Sequence, residues 1–156
     1  MDFFEQYHII ILGSCFLSIL VGMTWLTSKD KKWVREHYKK EDIIALGFGV
    51  TCFGVSSDQG APKKHKGFLL VHRGGLLFKS RFFGNGFSRN MKAGTIFSIN
   101  RESIQKVYHA DSHKGARLYQ SAVKIDFLTS VNITDTIAFK VAYPSQWIKI
   151  IEKILL

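Results

Sequence analysis

The chain has 156 residues, a formal net charge of +10 and only two prolines. A basic balance of this size suggests an anionic partner, which could be a lipid headgroup, a nucleic acid or an acidic protein face. The two cysteines, Cys15 and Cys52, lie in different apolar segments, so we expect no disulfide.

The first element is an uncharged run of eighteen residues, 9–26. As a helix this run would be roughly 27 Å long, close to the hydrocarbon thickness of a bilayer. Tyr7 and Trp25 lie near its ends, where aromatic rings prefer the headgroup level. The run predicts one transmembrane helix, with residues 1–27 as the N-terminal tail and membrane anchor.

Two alternatives to a membrane anchor remain, a buried helix of a soluble domain and a cleaved signal peptide. The acidic residues Asp2 and Glu5 are atypical of the basic start of a signal peptide. Basic residues follow the run, and none precedes it. Because positive residues stay on the cytoplasmic side, we expect the N-terminus outside and the C-terminal domain in the cytoplasm.

A stripe of small residues, Ser14, Ser18 and Gly22, recurs every four positions within this run. Small residues on one helix face allow another helix to approach closely. The stripe predicts helix packing against another membrane-protein subunit or a second copy of the chain.

Residues 28–42 form a charged connector in which Trp33 and Tyr38 are interleaved with charges. The connector could extend the first helix or lie along a membrane interface. Its basic residues are predicted to contact anionic lipid or a partner: Lys29, Lys31, Lys32 and Arg35.

From Ile44 onward the apolar pattern changes to period two, which is typical of strands, and residues 43–156 are predicted to form one domain. The predicted strands are 44–52, 68–72, 76–83, 96–99, 104–108, 123–127 and 137–141. The longer predicted loops are 56–66, 84–94 and 109–119. After Pro144 an amphipathic helix begins, with Ser145 as its N-cap and Trp147 on its apolar stripe.

These elements predict an α+β, membrane-anchored fold class. One N-terminal transmembrane helix would precede an antiparallel seven-stranded bent sheet or barrel, whose open end is covered by the C-terminal helix.

The segment 66–78 resembles the hairpin motif G-x-L-x-x-T-x-x-R-L-x-F of GRAM and bacterial pleckstrin-homology-like domains. The matching places are occupied by Gly67, Leu69, Leu76 or Leu77, and Phe78, while His72 stands in place of the motif's threonine. Residues 99–107 are similar to the stretch that follows in that family, and Trp147 is similar to the tryptophan of its terminal helix. The resemblance covers roughly residues 41–156 and implies the bent sheet closed by a helix.

Two further basic patches are predicted to bind lipid or a protein partner. The first patch is Lys63, Lys64 and Lys66, and the second is Lys79, Arg81, Arg89 and Lys92, with Phe82, Phe83 and Phe87 interleaved. Aromatic and basic residues together suit a membrane interface or an acidic protein groove. We expect no nucleic-acid partner for a membrane-tethered chain.

No catalytic motif is present, since the chain lacks both G-x-S-x-G and a phosphate-binding loop. His109, Asp111 and His113 form an H-x-D-x-H pattern, which we interpret as a polar turn rather than a metal site. We therefore expect no catalytic residue, no metal and no cofactor, and an enzyme is the least favoured class.

The predicted function is that of an accessory or scaffold subunit of a membrane protein complex. The alternative is a sensor or adaptor that binds anionic lipid at a membrane surface.

Overall fold

The computed structural model describes residues 3–60, 64–81 and 95–155, and for residues 3–13, 15, 23 and 119–121 it describes the backbone alone. The chain divides into two compact units, Met1–Lys40 and Glu41–Leu156. Lys63, Arg89, Lys92 and the predicted loop 84–94 lie outside the described residues.

The first unit is a helix of 35 residues, α1 (Phe3–His37). Among the described residues, no helix has both the length and the apolar character that crossing a bilayer requires. The predicted transmembrane helix over residues 9–26, and with it the membrane-anchored fold class, is therefore wrong. The predicted orientation of the N-terminus depended on that helix.

The physical reason is that a stretch without charged residues is not necessarily a strongly apolar one. The uncharged run contains small or hydroxyl side chains at Ser14, Ser18, Gly22 and Thr24, which lower its apolar character.

The charged connector continues α1 as a helix through His37, one of the two conformations expected for it. The His37 ring stacks on Trp33 with centroids 4.1 Å apart, and its Nδ1 donates a hydrogen bond of 2.8 Å to the Trp33 carbonyl. A short 3-10 turn over Lys40–Asp42 then leads into the second unit.

Among its described residues, the second unit contains one sheet and one α-helix. Its elements are β1 (Ile43–Val55), β2 (His65–His72), β3 (Gly75–Ser80), β4 (Ile96–Asn100), β5 (Ile104–His113), β6 (Ala116–Leu128), β7 (Thr134–Lys140) and α2 (Pro144–Leu155). The seven strands are antiparallel in the order β4-β3-β2-β1-β7-β6-β5. The predicted seven antiparallel strands and the C-terminal helix are both present in this unit.

Strand β1 joins the two halves of the sheet. It pairs with β2 from Ile43 to Cys52 and with β7 from Thr51 to Val55. The register shifts at three places, and two of them include Gly49 and Gly54, whose φ angles are +70° and +78°. Glycine adopts this backbone conformation without strain, so the predicted bend is confirmed at Gly49, whereas Gly47 pairs with Leu69 in regular register.

One apolar core draws side chains from all seven strands and from α2, which requires the sheet to bend around it. Representative members, one from each element in order, are Val50, Leu69, Phe78, Ile99, Val107, Ile125, Phe139 and Ile151. The predicted packing of α2 on the sheet is confirmed, since Ile151 and Ile154 are buried and Trp147 and Ile150 pack against the same core.

Strand β2 is buried on both faces. Leu69 and Val71 belong to the main core, and Phe68 and Leu70 point to the opposite face, yet all four are fully buried. An unbroken apolar run is typical of a strand buried on both sides. The glycines at its end form the predicted tight hairpin, because His72 pairs with Gly75 across the two-residue turn Arg73–Gly74.

The predicted loop 109–119 is wrong, because strands β5 and β6 continue through it to a tip at Lys114 and Gly115. Both tip residues have positive φ angles, 51° and 72°. The polar composition misled the interpretation, since half of the described residues here are exposed to solvent while the backbone still pairs.

Two element ends also differ from the prediction. Helix α2 begins at Pro144, where a fixed φ suits the first turn, and the Tyr143 carbonyl accepts from Gln146 and Trp147 nitrogens. Ser145 is therefore inside the helix and is not its N-cap. Strand β3 ends at Ser80, three residues before its predicted end.

Candidate anion-binding face

Three basic side chains lie in one row across four strands, which we call the cationic row: Arg81, Lys66 and Lys140, with Thr51 between the two lysines. Thr51 pairs with Lys66 of β2 on one side and with Lys140 of β7 on the other. The Arg81 nitrogen donates to the Lys66 carbonyl at 2.8 Å, which extends the β2–β3 ladder by one residue beyond Gly67 and Ser80. Neighbouring strands are about 4.8 Å apart, so adjacent row positions are close.

The row lies on the outer face of the sheet. Cys52 and Phe139, the chain neighbours of Thr51 and Lys140, point into the main core, and alternation along a strand sends the next residue to the other face. Lys66 and Lys140 are exposed, and Thr51 and Arg81 are partly exposed. The Lys66 and Lys140 side chains are therefore accessible to a ligand that approaches the outer face, whereas the Nη2 nitrogen of Arg81 is buried.

An aromatic pair lies beside the row. Lys79 pairs with Phe68, Phe68 pairs with Phe48, and the two phenyl rings are 6.3 Å apart at an angle of 57°. The Arg81 guanidinium carbon is 5.8 Å from the Phe48 ring centroid, within the range of a cation–π contact. This contact helps to orient the guanidinium.

The row has an electrostatic cost in the free protein. Lys66 and Arg81 are directly opposite across β2 and β3, and like charges in this position are destabilising. No acidic residue occupies the register positions of the row. A bound anion would relieve this repulsion, and a planar guanidinium beside ammonium groups is suited to phosphate oxygens.

The cationic row contains residues from both of the basic patches that were predicted from the sequence. Lys66 comes from the first predicted patch and Arg81 with its neighbour Lys79 from the second, whereas Lys64 precedes β2 and is exposed. Lys140 was not predicted as a site residue, because its place in the row, across Thr51 from Lys66, depends on the pairing of β1 with both β2 and β7. The only signal in the sequence was its alternation with the apolar residues of β7.

The basic residues of the connector lie on α1, in the first unit. Lys29 lies over the Trp25 ring at 3.6 Å, and Lys32 forms a solvent-exposed ion pair with Glu36 at 3.9 Å. Lys31 and Arg35 are exposed. Their predicted contact with lipid or a partner stays a prediction.

The small-residue stripe also lies on α1. The Ser18 hydroxyl donates to the Ser14 carbonyl at 2.8 Å, and a methyl group added at Gly22 would meet no described atom within 4 Å. Helix packing along Ser14, Ser18 and Gly22 stays a prediction, and the bilayer argument that motivated it no longer applies.

The three residues of the H-x-D-x-H pattern have different surroundings. His109 is exposed, with its Nε2 3.2 Å from the Ser145 hydroxyl, and Asp111 is exposed. His113 is only 1% exposed, and its Nε2 is 3.0 Å from the Gly54 carbonyl. Burial lowers the pKa of His113, with smaller contributions of the same sign from Lys124 and Lys114, while the Gly54 hydrogen bond and Asp135 oppose the shift.

Buried polar groups elsewhere in the second unit have structural roles. Asp135 accepts hydrogen bonds from the nitrogen and the hydroxyl of Ser57, which attaches the turn after β1 to the start of β7. Cys52 is a free thiol in the main core, and burial raises its pKa to about 12. A thiol in this state is protonated and a poor nucleophile.

Comparison with known proteins assigns no family, since no protein-family model matches the chain. No curated protein matches it either. The resemblance of residues 66–78 to GRAM and pleckstrin-homology-like domains therefore stays a prediction.

Proposed function

We propose that this protein is a non-catalytic binding module that attaches reversibly to membrane surfaces bearing anionic, phosphate-containing lipid headgroups. The observation that carries the proposal is the cationic row of Arg81, Lys66 and Lys140 on one accessible face of the sheet. The contact is peripheral, because it involves only the outer face of the sheet.

The charges of the row give a weak, salt-sensitive contact. A basic residue near an anionic surface contributes about 1 kcal/mol, so the row together with Lys79 contributes roughly 4 kcal/mol. That free energy corresponds to a dissociation constant of about 1 mM. Such an affinity suits a module that binds when lipid is concentrated at a surface, and it should fall as salt screens the charges.

Vesicle sedimentation tests the proposal at about pH 7.5. The full chain should sediment with phosphatidylcholine vesicles that contain phosphatidylserine and not with phosphatidylcholine alone, and added salt should release it. The double variant Lys66→Glu/Lys140→Glu should lose this binding.

The matched control is Lys149→Glu/Lys153→Glu, which makes the same change in net charge on α2, away from the row. If both double variants lose binding equally, total charge rather than the row is responsible and the proposal fails. It also fails if the parent does not distinguish the two kinds of vesicle.

A protein-binding role, the accessory-subunit function predicted from the sequence, is a second candidate. One observation favours it: the turn between β6 and β7 exposes Val131 and Ile133, which are 70% and 64% exposed. The Thr129 side chain accepts from the Ile133 nitrogen and donates to its carbonyl, so the turn holds both apolar side chains in fixed places. The variant Val131→Ser/Ile133→Ser should reduce chemical crosslinking to a partner in cells while leaving vesicle binding unchanged, and equal crosslinking would rule out this turn.

A further inference from the structure

The distal part of the β5–β6 hairpin, residues 111–121, folds against the outer face of the sheet, and we call it the arm. The His113 Nε2 donates to the Gly54 carbonyl at 3.0 Å, and the Lys114 Nζ donates to the Asp58 carbonyl at 2.5 Å. Both bonds join the tip of the hairpin to the far end of β1 and the turn that follows it. The arm is thus attached to the sheet by two hydrogen bonds at its tip.

A small apolar cluster, separate from the main core, forms between Leu118 of the arm and the outer face of the sheet. It consists of Phe53, Leu118, Ala122 and Ala138, each at most 8% exposed. Three members of the cluster are next to main-core residues in their strands, so alternation places them on the outer face with the cationic row: Phe53, Ala122 and Ala138. Ala122 lies one residue beyond the Val123–Phe139 pair, which places it next to Lys140.

The arm can swing because its pairing is interrupted at its base. Between the pairs Ala110–Ala122 and Ser112–Arg117 the register shifts, since β6 uses more residues than β5. Such an interruption leaves backbone groups outside the ladder and weakens the pairing locally. The arm can therefore separate from the sheet while the rest of β5 and β6 stays paired.

The neutral His113 ring donates to Gly54 through Nε2, and a protonated ring would keep this bond, so the cost of protonation lies at the other ring nitrogen, Nδ1. The Nε2 carries the proton given to Gly54, so Nδ1 is bare, and among the described residues this buried Nδ1 has no hydrogen-bond partner. A proton added there would be a buried donor without an acceptor, which is costly. Of the charged groups that act on the ring, Lys114 and Lys124 oppose protonation and Asp135 favours it.

We propose that protonation of His113 releases the arm and exposes the apolar cluster beside the cationic row, so that acid strengthens attachment to a bilayer with anionic headgroups. The lipid part of this inference depends on the proposed function, and the release of the arm does not. The released surface supplies the apolar contact with lipid that the row lacks, and the row brings it to the bilayer.

Release of the arm is measured without lipid, by the fluorescence of a dye that binds exposed apolar surface, between about pH 7.5 and about pH 5. The parent should show rising fluorescence while its far-ultraviolet circular dichroism is unchanged. The opening equilibrium should change by up to about tenfold for each pH unit below the ordinary histidine pKa.

The matched variants are His113→Gln and His109→Gln, which each remove one imidazole from β5. A glutamine amide can donate to Gly54 and stays neutral, so His113→Gln should show no rise, whereas His109→Gln and His72→Gln should behave like the parent. His113→Arg, which carries a permanent charge, should bind dye already at neutral pH. A rise in His113→Gln equal to that of the parent would overturn the inference.

Vesicle binding at the two pH values then separates the two proposals. Acid should strengthen binding of the parent and of His109→Gln to phosphatidylserine-containing vesicles more than that of His113→Gln. If all three gain equally, the acid effect is general charge and the inference fails while the proposed function stands. If dye binding depends on His113 but no variant binds vesicles at any pH, the proposed function and the lipid part fail together.

Discussion

Gly67 is the position where one added methyl group would disturb the sheet most directly. A Cβ there would lie 2.0 Å from the Lys79 carbonyl oxygen and 2.9 Å from the Phe78 Cζ. The first neighbour is backbone of the paired strand and cannot move without opening the ladder. The glycine of the hairpin motif is thus explained by close approach of two strands, a requirement of packing rather than of ligand binding.

We expect Gly67→Ala to lower the free energy of unfolding by about 1–3 kcal/mol, the usual cost of overpacking a core. Urea unfolding of the full chain followed by tryptophan fluorescence measures this. Gly22→Ala is the control, because a methyl group there meets nothing within 4 Å. A Gly67→Ala midpoint equal to that of the parent would contradict the clash.

The ring of Trp147 helps to attach helix α2 to the sheet. The Trp147 ring packs over Gly47, since a Cβ at Gly47 would be 2.5 Å from the Trp147 Cζ2. The ring is only partly buried, so it loses less on truncation than a fully buried aromatic side chain. The absence of a side chain at Gly47 makes room for the ring.

We expect Trp147→Ala to lower the free energy of unfolding by about 2 kcal/mol, below the 3–5 kcal/mol of a fully buried tryptophan. Thermal unfolding followed by circular dichroism measures the loss. Lys149→Ala, an exposed change on the same helix, should leave the midpoint in place. Equal midpoints for the two variants would mean that the ring contributes nothing to the attachment of α2.

The cationic row predicts a conflict between stability and binding. Lys66→Glu places a carboxylate opposite Arg81, which replaces repulsion by attraction. We expect the free energy of unfolding to rise by about 0.2–1 kcal/mol, while binding to phosphatidylserine-containing vesicles falls. Urea unfolding and vesicle sedimentation of the same preparation measure both quantities, and a loss of stability together with a loss of binding would show that Lys66 is needed for the fold instead.

The second unit as a whole should lose stability in mild acid. Burial lowers the pKa of His113 and of His72, although Asp42 opposes the shift at His72. Below the ordinary histidine pKa of about 6.5 the unfolded chain then binds more protons than the folded one, so the free energy of unfolding falls as the pH drops. Above that pH neither group contributes.

Urea unfolding at about pH 7.5 and about pH 5.5 tests this dependence. The double variant His72→Gln/His113→Gln should lose less stability between the two values than the parent, because it lacks the two imidazoles whose protonation burial disfavours. His109→Gln, with an exposed imidazole, is the control. An unchanged pH dependence in the double variant would contradict the protonation argument.

The pattern of side chains was sufficient to predict the elements of the second unit. Alternation along Val123, Ile125 and Phe127 and the spacing of Trp147, Ile151 and Ile154 depend on which face of one element is buried, and the structure buries those faces. The same reasoning failed in two places. A count of uncharged residues overstated the apolar character of α1, and the polar composition of residues 109–119 concealed a strand pairing.

Periodicity and glycine placement predicted most of the strands, the bend of β1 at Gly49 and the terminal helix, because these depend on local backbone preference and on which face of each element is apolar. The candidate site was decided by tertiary structure alone. The β2–β3 hairpin brings Lys66 and Arg81 together, and Lys140, far from both in the chain, joins their row only because β1 pairs with both β2 and β7. The burial of His113 beside Gly54 likewise depends on how the β5–β6 hairpin folds back onto the sheet. Side-chain alternation within one strand carries no information about which strand lies next to it.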